Sequence, residues 1–562
     1  MKPRFLFSRV FLFFILLFLV GFAPQPLFSL DVNLAVDVDR NGIVDFKTDE
    51  TGEEAWSLSR GALFLNNNDS DEDTGTPDHQ DQKVNGIDDL LDLARIVLKK
   101  IPELPEQSNI TLEIDPNSMG NVRLFYKNLI NDYVPLALDK APNIPGDLLR
   151  KEHVEIRIEA NSFATRQWNG ITSVTATVQI PSGEKKSDTI VLKVAPFILA
   201  SNFHEAHTLY VREFPGRNDM FIQQLKDIAP RSGFELYIIP AGEPYRSNHI
   251  WCQDAMEIGF TQMPGKRMNV VLKANRNKTL DNFPKNTLLG PDYGWFSCGA
   301  YREPFANGSS GNGWIDWFGN LEATPPLPGY PLGRIYYGAN KDASLDPEII
   351  AMFDAQGVQG PALRLDTGWL LIKHVDEMIC FVPSGNPQHP CKLLVVDADA
   401  MIALAEKWNS QGKGSFPMLV PFQENMTVSS FLENTSLLDF NRRIQKERME
   451  PNIELILKEL KLRKEDIIRI PAFFNHMGQS LVPNMVNSAV VNQCLLIADP
   501  HGPSENREDL LQEHVRHLLK DIPLEIHFLD DRQYHKWSGN VHCATNARRN
   551  GFPPPWWKRI SN

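Results

Sequence analysis

The chain changes its hydrophobic rhythm near residue 194, and that change divides it into two kinds of structure. Before it, the segments VEIRIEANSF, TSVTATVQIPSG and DTIVLKVAPF alternate apolar and polar residues with a period of two, separated by turn formers. This is the pattern of half-buried antiparallel strands, so a small β-sandwich is expected over 30–193. Within it, IDDLLDLARIVLKKI places Ile87, Leu90, Leu91, Leu93 and Val97 near helical spacing, which predicts one interrupting helix or helical turn. After residue 194, apolar runs such as FELYIIP, WLLIKHV, MICFVP, KLLVVD and QCLLIADP alternate with amphipathic stretches such as MIALAEKW and REDLLQEHVRHLLKDI. That reads as a mixed α/β domain over 194–562. The Gly/Pro/Asn-rich stretch 290–314 is too long for a simple connector, and loops of that length in a compact domain are usually functional. No internal sequence repeat is visible.

Residues 1–29 belong to neither rhythm. Lys2, Arg4 and Arg9 precede VFLFFILLFLVGFA, a basic start and a short apolar run laid out as a secretory signal. An exported protein, periplasmic or extracellular, is expected. The alternative is an uncleaved anchor, the only way this chain would meet a membrane, although the run is short of the roughly 20 residues of a full span.

The net charge of −13 argues against a nucleic-acid partner, which selects a basic face. It suits a cationic partner or bound cations. DVDRNG (37–42) and the stretch 66–92 crowd carboxylates and amides among Gly and Asn, as a hard cation such as Ca²⁺ requires. A solvated acidic loop is the other reading of such a run. The six cysteines at 252, 298, 380, 391, 494 and 543 form no CxxC pair and no Cys/His finger. They are also sparse for a disulfide scaffold.

Three segments gather reactive residue types. In ALRLDTGWLLIKHVDEMICFVPSG, His374 and Asp376 stand two apart on a run that reads as a strand, hence on one face. A buried polar pair there is either a satisfied core hydrogen bond or a working site. In NHIWCQDAMEIGF, Gln253 and Glu257 share a face, with Asp254 opposite if the segment is a strand. A cation held by the first two would then fix where the Asp254 carboxylate aims. In NVHCATNARRN, Cys543 follows His542. Together these types suit a guanidinium substrate. Two carboxylates can grip it through paired hydrogen bonds, a thiolate can attack its carbon, and a histidine can move protons.

The segments WCQDAMEIGF, FGNLEATPPLPGYPLGRI, LDTGWLLIKHVDE, VPNMVNSAVVN and DDRQYHKWSGNVHCATNARR resemble, in order, the protein-arginine deiminases. These are Ca²⁺-dependent enzymes that convert arginine side chains of proteins and peptides to citrulline. The resemblance implies a five-bladed α/β propeller (pentein) catalytic domain preceded by an immunoglobulin-like calcium-binding domain. By the resemblance, the family's further N-terminal domain is expected to be missing, with the signal sequence in its place. By position, Cys543 matches the nucleophile and His374 the general acid/base. Asp254 and Asp376 match the guanidinium-binding carboxylates, and Trp251 the wall against the arginine stem. Gln253, Glu257 and Glu322, with the carbonyls of Phe318 and Leu321, match a Ca²⁺ site beside the cleft. Asn67, Asp69, Asp71, Asp78, Asp81, Asp89 and Asp92 match Ca²⁺ ligands of the first domain. Four positions depart from the pattern. Ala255 and Lys273 stand where a second catalytic-domain Ca²⁺ site has acidic residues, and Lys278 and Trp537 stand where the family has arginines that contact peptide. A deiminase of free arginine or agmatine is therefore the first rival reading. A calcium-binding surface protein with a vestigial cleft is the second. A nucleophilic Cys543 also requires that the other five cysteines not all be paired with one another.

Overall fold

The computed structural model describes residues 30–71, 75–140, 142–246, 249–303, 314–423, 425–551 and 553–560. The expected secretory signal at 1–29 lies outside the described residues. Among those described, no helix is long and apolar enough to cross a membrane.

The first unit is built from two sheets. One runs, in spatial order, Leu34–Val36, Ala94–Leu98, Val154–Ala160, Val122–Lys127 and Tyr133–Pro135, all antiparallel. The other runs Ala62–Phe64, Lys185–Val194, Ile171–Gln179 and Asn109–Ile114. Ile171–Gln179 buries every second residue, so the period-two rhythm has the structural meaning expected of it. Ile156, Ile158, Leu112, Ala176 and Ile190 from the two sheets meet in one core.

The expected helix or helical turn is present in this unit, but it is shorter than the run that suggested it and buries a different face. It spans only Gly86–Asp92, and the chain then turns directly into the strand Ala94–Leu98. Ile87 and Leu91 lie exposed while Asp89 and Asp92 are buried. The β-branched pair Ile96 and Val97 favours the strand, and the helix buries its carboxylates rather than its aliphatic residues.

Beyond Val194 the described residues form a small two-stranded sheet at 504–509 and five larger sheets that repeat one motif: an antiparallel strand pair followed by a strand parallel to its second member. The motif appears as Met256–Met263, Lys266–Lys273 and Tyr293–Ser297, then as Leu321–Ala323, Ile335–Ala339 and Leu363–Asp366. It returns as Ile379–Asn386, His389–Asp397 and Ile467–Pro471, and as Ala489–Val491, Cys494–Ala498 and Glu525–Leu529. The fifth copy joins the two ends of the unit, pairing Thr545–Arg549 with Ala206–Arg212 and the latter with Glu235–Ile239. The central strands Ile335–Ala339 and Cys494–Ala498 are buried at every residue, as strands covered on both faces are. Helices such as Asp219–Ser232 and Pro347–Gln356 make the crossovers.

The two units share their core. Phe197 and Leu199 pack with Phe260, Val270 and Phe353 as well as with the first unit's aliphatics. Gln356 donates to the Ala164 carbonyl at 2.9 Å and accepts from Phe197 N at 3.1 Å.

Candidate active site

Each of the five repeats contributes the short segment that precedes the first strand of its antiparallel pair. These segments are Gln253–Ala255, Phe318–Asn320, Val375–Glu377, residues 484–488 and Val541–Ala544. A closed cycle of hydrogen bonds links them. Gly319 N donates to Asp254 Oδ1 at 3.3 Å, and Val375 N to Asn320 Oδ1 at 3.1 Å. Asn484 Nδ2 donates to the Glu377 carbonyl at 2.7 Å, and Cys543 N to Asn487 Oδ1 at 3.2 Å. Asn546 Nδ2 closes the cycle on the Met256 carbonyl at 2.8 Å.

The four residues picked from the sequence for guanidinium chemistry meet inside this cycle. His374 Nδ1 lies 3.6 Å from Asp254 Oδ1, while its Nε2 donates to the Trp314 carbonyl at 2.7 Å. The Cys543 thiol donates to Asp376 Oδ2 at 3.4 Å. The expected face-sharing of His374 and Asp376 on a strand is not how they meet. His374 caps a single 3₁₀ turn, Val375–Glu377, and the strand begins only at Ile379. Likewise Gln253 and Asp254 lie on a 3₁₀ turn and Glu257 on the following strand. A tight turn throws successive side chains to different sides of one point, which a strand cannot do.

Two residues that hold the set together were not singled out in the sequence. Gly319 sits at its centre: a Cβ there would stand 2.5 Å from His374 Nδ1 and 3.1 Å from both Asp254 Oδ1 and Asp376 Oδ2. Asn487 grips the cysteine twice, accepting from Cys543 N and donating Nδ2 to Sγ at 3.2 Å. Both lie within segments that carry the family resemblance, but a turn glycine and an asparagine announce no chemistry by type.

A cleft of about 430 Å³ opens onto this centre, walled by Trp251, Trp314 and Trp317, with Lys278 and Trp537 also lining it. Trp251 lies against Gly539, where a Cβ would come within 2.5 Å of its ring. Arg276 points a guanidinium nitrogen to 3.7 Å from Asp254 Oδ2 but is anchored elsewhere, by Asp281 at 2.7 Å.

Burial raises the Cys543 thiol well above the ordinary range, and the nearby Asp376, Asp254 and Glu377 carboxyls add to the effect. Burial also raises Asp254, against the pull of His374 and Arg276. Burial first and surplus negative charge second thus oppose ionisation of the thiol, and a cationic ligand between the carboxylates would offset the second.

Behind the cleft, Gln253 Nε2 donates to Glu257 Oε1 at 2.7 Å and to the Phe318 carbonyl at 3.4 Å. Burial and the neighbouring Glu322 push the Glu257 carboxyl up. Leu321 opens the strand that carries Glu322. His542 bridges this group to the cleft, with Nε2 3.3 Å from Glu322 Oε1 and Nδ1 2.9 Å from Asp376 Oδ2. Burial alone would lower its imidazole, yet the two carboxylates outweigh burial and raise it. Gln253, Glu257 and the half-buried Glu322 line one small recess, and their amide and carboxylate oxygens are of the kind Ca²⁺ takes. At the departing positions Ala255 is buried and Lys273 reaches only the Ala274 carbonyl at 3.5 Å.

The acidic stretch of the first unit folds into two clusters. Asp71, Asp78 and Asp89 bring carboxylate oxygens within 4.8 Å of one another, and so do Asp69, Asp92 and Asp292. Asp292 comes from the second unit and donates its backbone N–H to Asp69 Oδ2 at 2.8 Å. Lys266, also from the second unit, places Nζ 3.0 Å from Asp92 and 2.9 Å from Asp292. Neither Asp292 nor Lys266 was legible in the sequence. Asp81 stands outside both trios, its carboxylate holding Lys83 N and Asn85 Nδ2. Asn67 Oδ1 and Asp69 Oδ1 are buried acceptors with no donor, as expected of ligand atoms facing a cation.

Burial drives Asp78 up to about 7 and Glu159 up to about 8, and raises Asp69 and Asp92 as well. Carboxyls raised in the folded state hold protons that the unfolded chain releases above about pH 4. Their stabilisation is complete below that pH and is lost as pH rises through 7 to 8. Metal-free protein should therefore show a falling melting temperature between about pH 5 and 8, and a bound cation should remove the slope. A rising melting temperature across that window would contradict the burial argument.

All six cysteines are unpaired thiols, which meets the condition that a free Cys543 imposed.

The chain is similar to known proteins over most of its length. The protein-arginine deiminase family model matches residues 184–558, and the model of the protein-arginine deiminase middle domain matches 30–179. Protein-arginine deiminase type-1 of Homo sapiens is 30% identical over 96% of this chain and 84% of its own. Type-3 of Mus musculus is 32% identical over 94% and 82%. Among solved structures, the agmatine deiminase of C. jejuni covers 63% of this chain and 96% of its own, at 11% identity and a TM-score of 0.39. The chain is thus a deiminase enzyme. It belongs to the protein-arginine deiminase family.

Proposed function

We propose that this deiminase hydrolyses protein- or peptide-bound arginine to citrulline and ammonia, with Cys543 as nucleophile and Ca²⁺ as cofactor. The observation that carries the reading is the convergence of Asp254, His374 and Asp376 on Gly319, with the Cys543 thiol bonded to Asp376. Five copies of one sheet motif and the closed cycle of hydrogen bonds support the arrangement of the second unit as a five-bladed propeller with this centre at its axis. The two-sheet first unit is compatible with an immunoglobulin-like domain.

In this mechanism the arginine stem lies along Trp251, and its guanidinium pairs with Asp254 and Asp376. The bound cation offsets their charge and favours the thiolate, the thiol proton passing to solvent. Sulfur attacks the guanidinium carbon, and the bond from that carbon to a terminal nitrogen breaks. His374 supplies the proton with which ammonia leaves. His374 then takes a proton from water, whose oxygen adds to the same carbon. The C–S bond breaks, leaving the ureido group of citrulline and a restored Cys543. Ca²⁺ held by Gln253, Glu257, Glu322 and the Phe318 and Leu321 carbonyls would neutralise the carboxylates behind the cleft. His542 links Glu322 to Asp376 and so ties that neutralisation to the guanidinium site.

An arginine blocked at both ends, assayed over a calcium titration, tests this reading. Citrulline formation should require Ca²⁺, and Glu257→Gln should shift the half-saturating concentration upward by roughly tenfold or more, because a charged ligand is lost. Calcium-independent turnover would refute the cofactor role. Faster turnover of free arginine or agmatine than of the blocked substrate would favour the small-guanidine reading, which Lys278 and Trp537 in the cleft lining leave open.

A further inference from the structure

At the end of the fourth repeat farthest from the cleft, three unlike side chains meet. Cys494 pairs with Val491 at the turn between the antiparallel strands, whereas Ala489 marks the cleft end of the same pair. The neighbouring parallel strand sets Glu525 opposite Cys494 and His527 opposite Leu496. Residues two apart on a strand share a face, so the thiol, the carboxylate and the imidazole all project from one side of the sheet. Their ligand atoms lie within 4.8 Å of one another.

The environment of each group is unusual if nothing joins them. Cys494 is buried, and its sulfur lies 2.9 Å from the Ser232 hydroxyl. His527 Nε2 is enclosed without a hydrogen-bond partner, although Glu525 Oε1 stands 3.3 Å away. An enclosed ring nitrogen facing a carboxylate and a thiol is poised for a bond that neither neighbour supplies. Glu525 is 70% exposed, so one side of the group opens to water.

We propose that Cys494, Glu525 and His527 bind a zinc ion that clamps the strand Cys494–Ala498 to Glu525–Leu529, independently of the calcium sites and the cleft. One sulfur, one nitrogen and one oxygen ligand make a borderline donor set that Zn²⁺ accepts in tetrahedral geometry, with water completing the fourth position. The all-oxygen clusters elsewhere suit hard cations instead, and sulfur disfavours Ca²⁺ here. Binding turns the thiol into a thiolate, its proton leaving to solvent, and the charges of thiolate and glutamate then balance the dication.

The test uses full-length, calcium-saturated protein titrated with Co²⁺ as an absorbing substitute for Zn²⁺. One equivalent should bring up a thiolate-to-cobalt charge-transfer band, which Zn²⁺ then abolishes by displacement. Cys494→Ser should remove the band. His527→Gln, which keeps the sulfur, should weaken binding by roughly a hundredfold. Zn²⁺ should raise the melting temperature of the parent protein and not of either variant. Absence of the band at one equivalent overturns the proposal. So does its persistence in Cys494→Ser, which would place the metal on another thiol such as Cys543.

Discussion

Cys543→Ala should form no measurable citrulline while folding and binding calcium like the parent protein. The thiol sits against the carboxylate that is proposed to hold the guanidinium, and it is the group placed to bond to the guanidinium carbon. Removing a nucleophile from a cooperating set of residues costs on the order of 10⁴-fold or more in kcat. The structural cost is small by contrast. Only one heavy atom is lost, and with it a thiol held neutral among Asp376, Asp254 and Glu377. Asn487 Oδ1 keeps its bond from the residue 543 backbone N–H, so the turn that presents the residue survives. Substrate should still bind between Asp254 and Asp376. Equilibrium binding of a blocked arginine, measured beside citrulline release, separates the two contributions. Turnover in Cys543→Ala above about one per cent of the parent rate would require another nucleophile. Water activated directly by His374 would be the candidate.

The reactive types at this site were legible because they interrupt apolar runs, where an unpaired polar side chain is costly. Their spatial relation was not. The strand reading put His374 and Asp376 on one face, but a 3₁₀ turn at Val375–Glu377 sends one toward Asp254 and the other toward Cys543. Hydrophobic periodicity cannot resolve a single turn. It was also misleading at Gly86–Asp92, where Ile87 and Leu91 face solvent and Asp89 and Asp92 face inward. A helix that buries its carboxylates rather than its aliphatic residues inverts the usual pattern. Asn487 and Gly319 work through an amide and through a missing side chain, and neither leaves a mark on composition or spacing.

The fold was legible at the level of rhythm. The switch near 194 marks a physical change from half-buried strands such as Ile171–Gln179 to fully buried ones such as Cys494–Ala498. The fivefold motif stayed hidden because its repeats differ in length. Between its second and third strands, one repeat inserts only short helical turns after Lys273, whereas another inserts a group of helices from Ala398 to Leu460. Such insertions erase any sequence period while leaving the strand pairing intact. Splitting the fifth repeat between Ala206–Ile239 and Thr545–Arg549 hides it further, because its parts lie at opposite ends of the unit.

Gly319→Ala should lower kcat/KM by roughly a hundredfold or more in a protein that is otherwise folded. The added methyl carbon would approach His374 Nδ1 to 2.5 Å, well inside van der Waals contact, so some group must move. The nearest three cannot yield without leaving their positions. His374 is held from behind by the Trp314 carbonyl, Asp376 by His542, and Asp254 by Gly319's own N–H. Displacing such groups by about 1 Å is enough to cost on the order of 10²-fold in rate. The methyl also enters the space between the two carboxylates, where the proposed mechanism places the guanidinium, so KM should rise while kcat falls. Backbone strain does not confound the result, because Gly319 is not among the residues with positive φ. Gly242→Ala is the matched control: its Cβ would meet nothing within 4 Å, and its activity should equal the parent's. Parent-like kinetics in Gly319→Ala would mean that His374, Asp254 and Asp376 do not act together around that point. A large loss of melting temperature would instead show that the glycine serves packing. A rate lost at constant stability, with calcium binding retained, is the result expected of a glycine that leaves room for substrate.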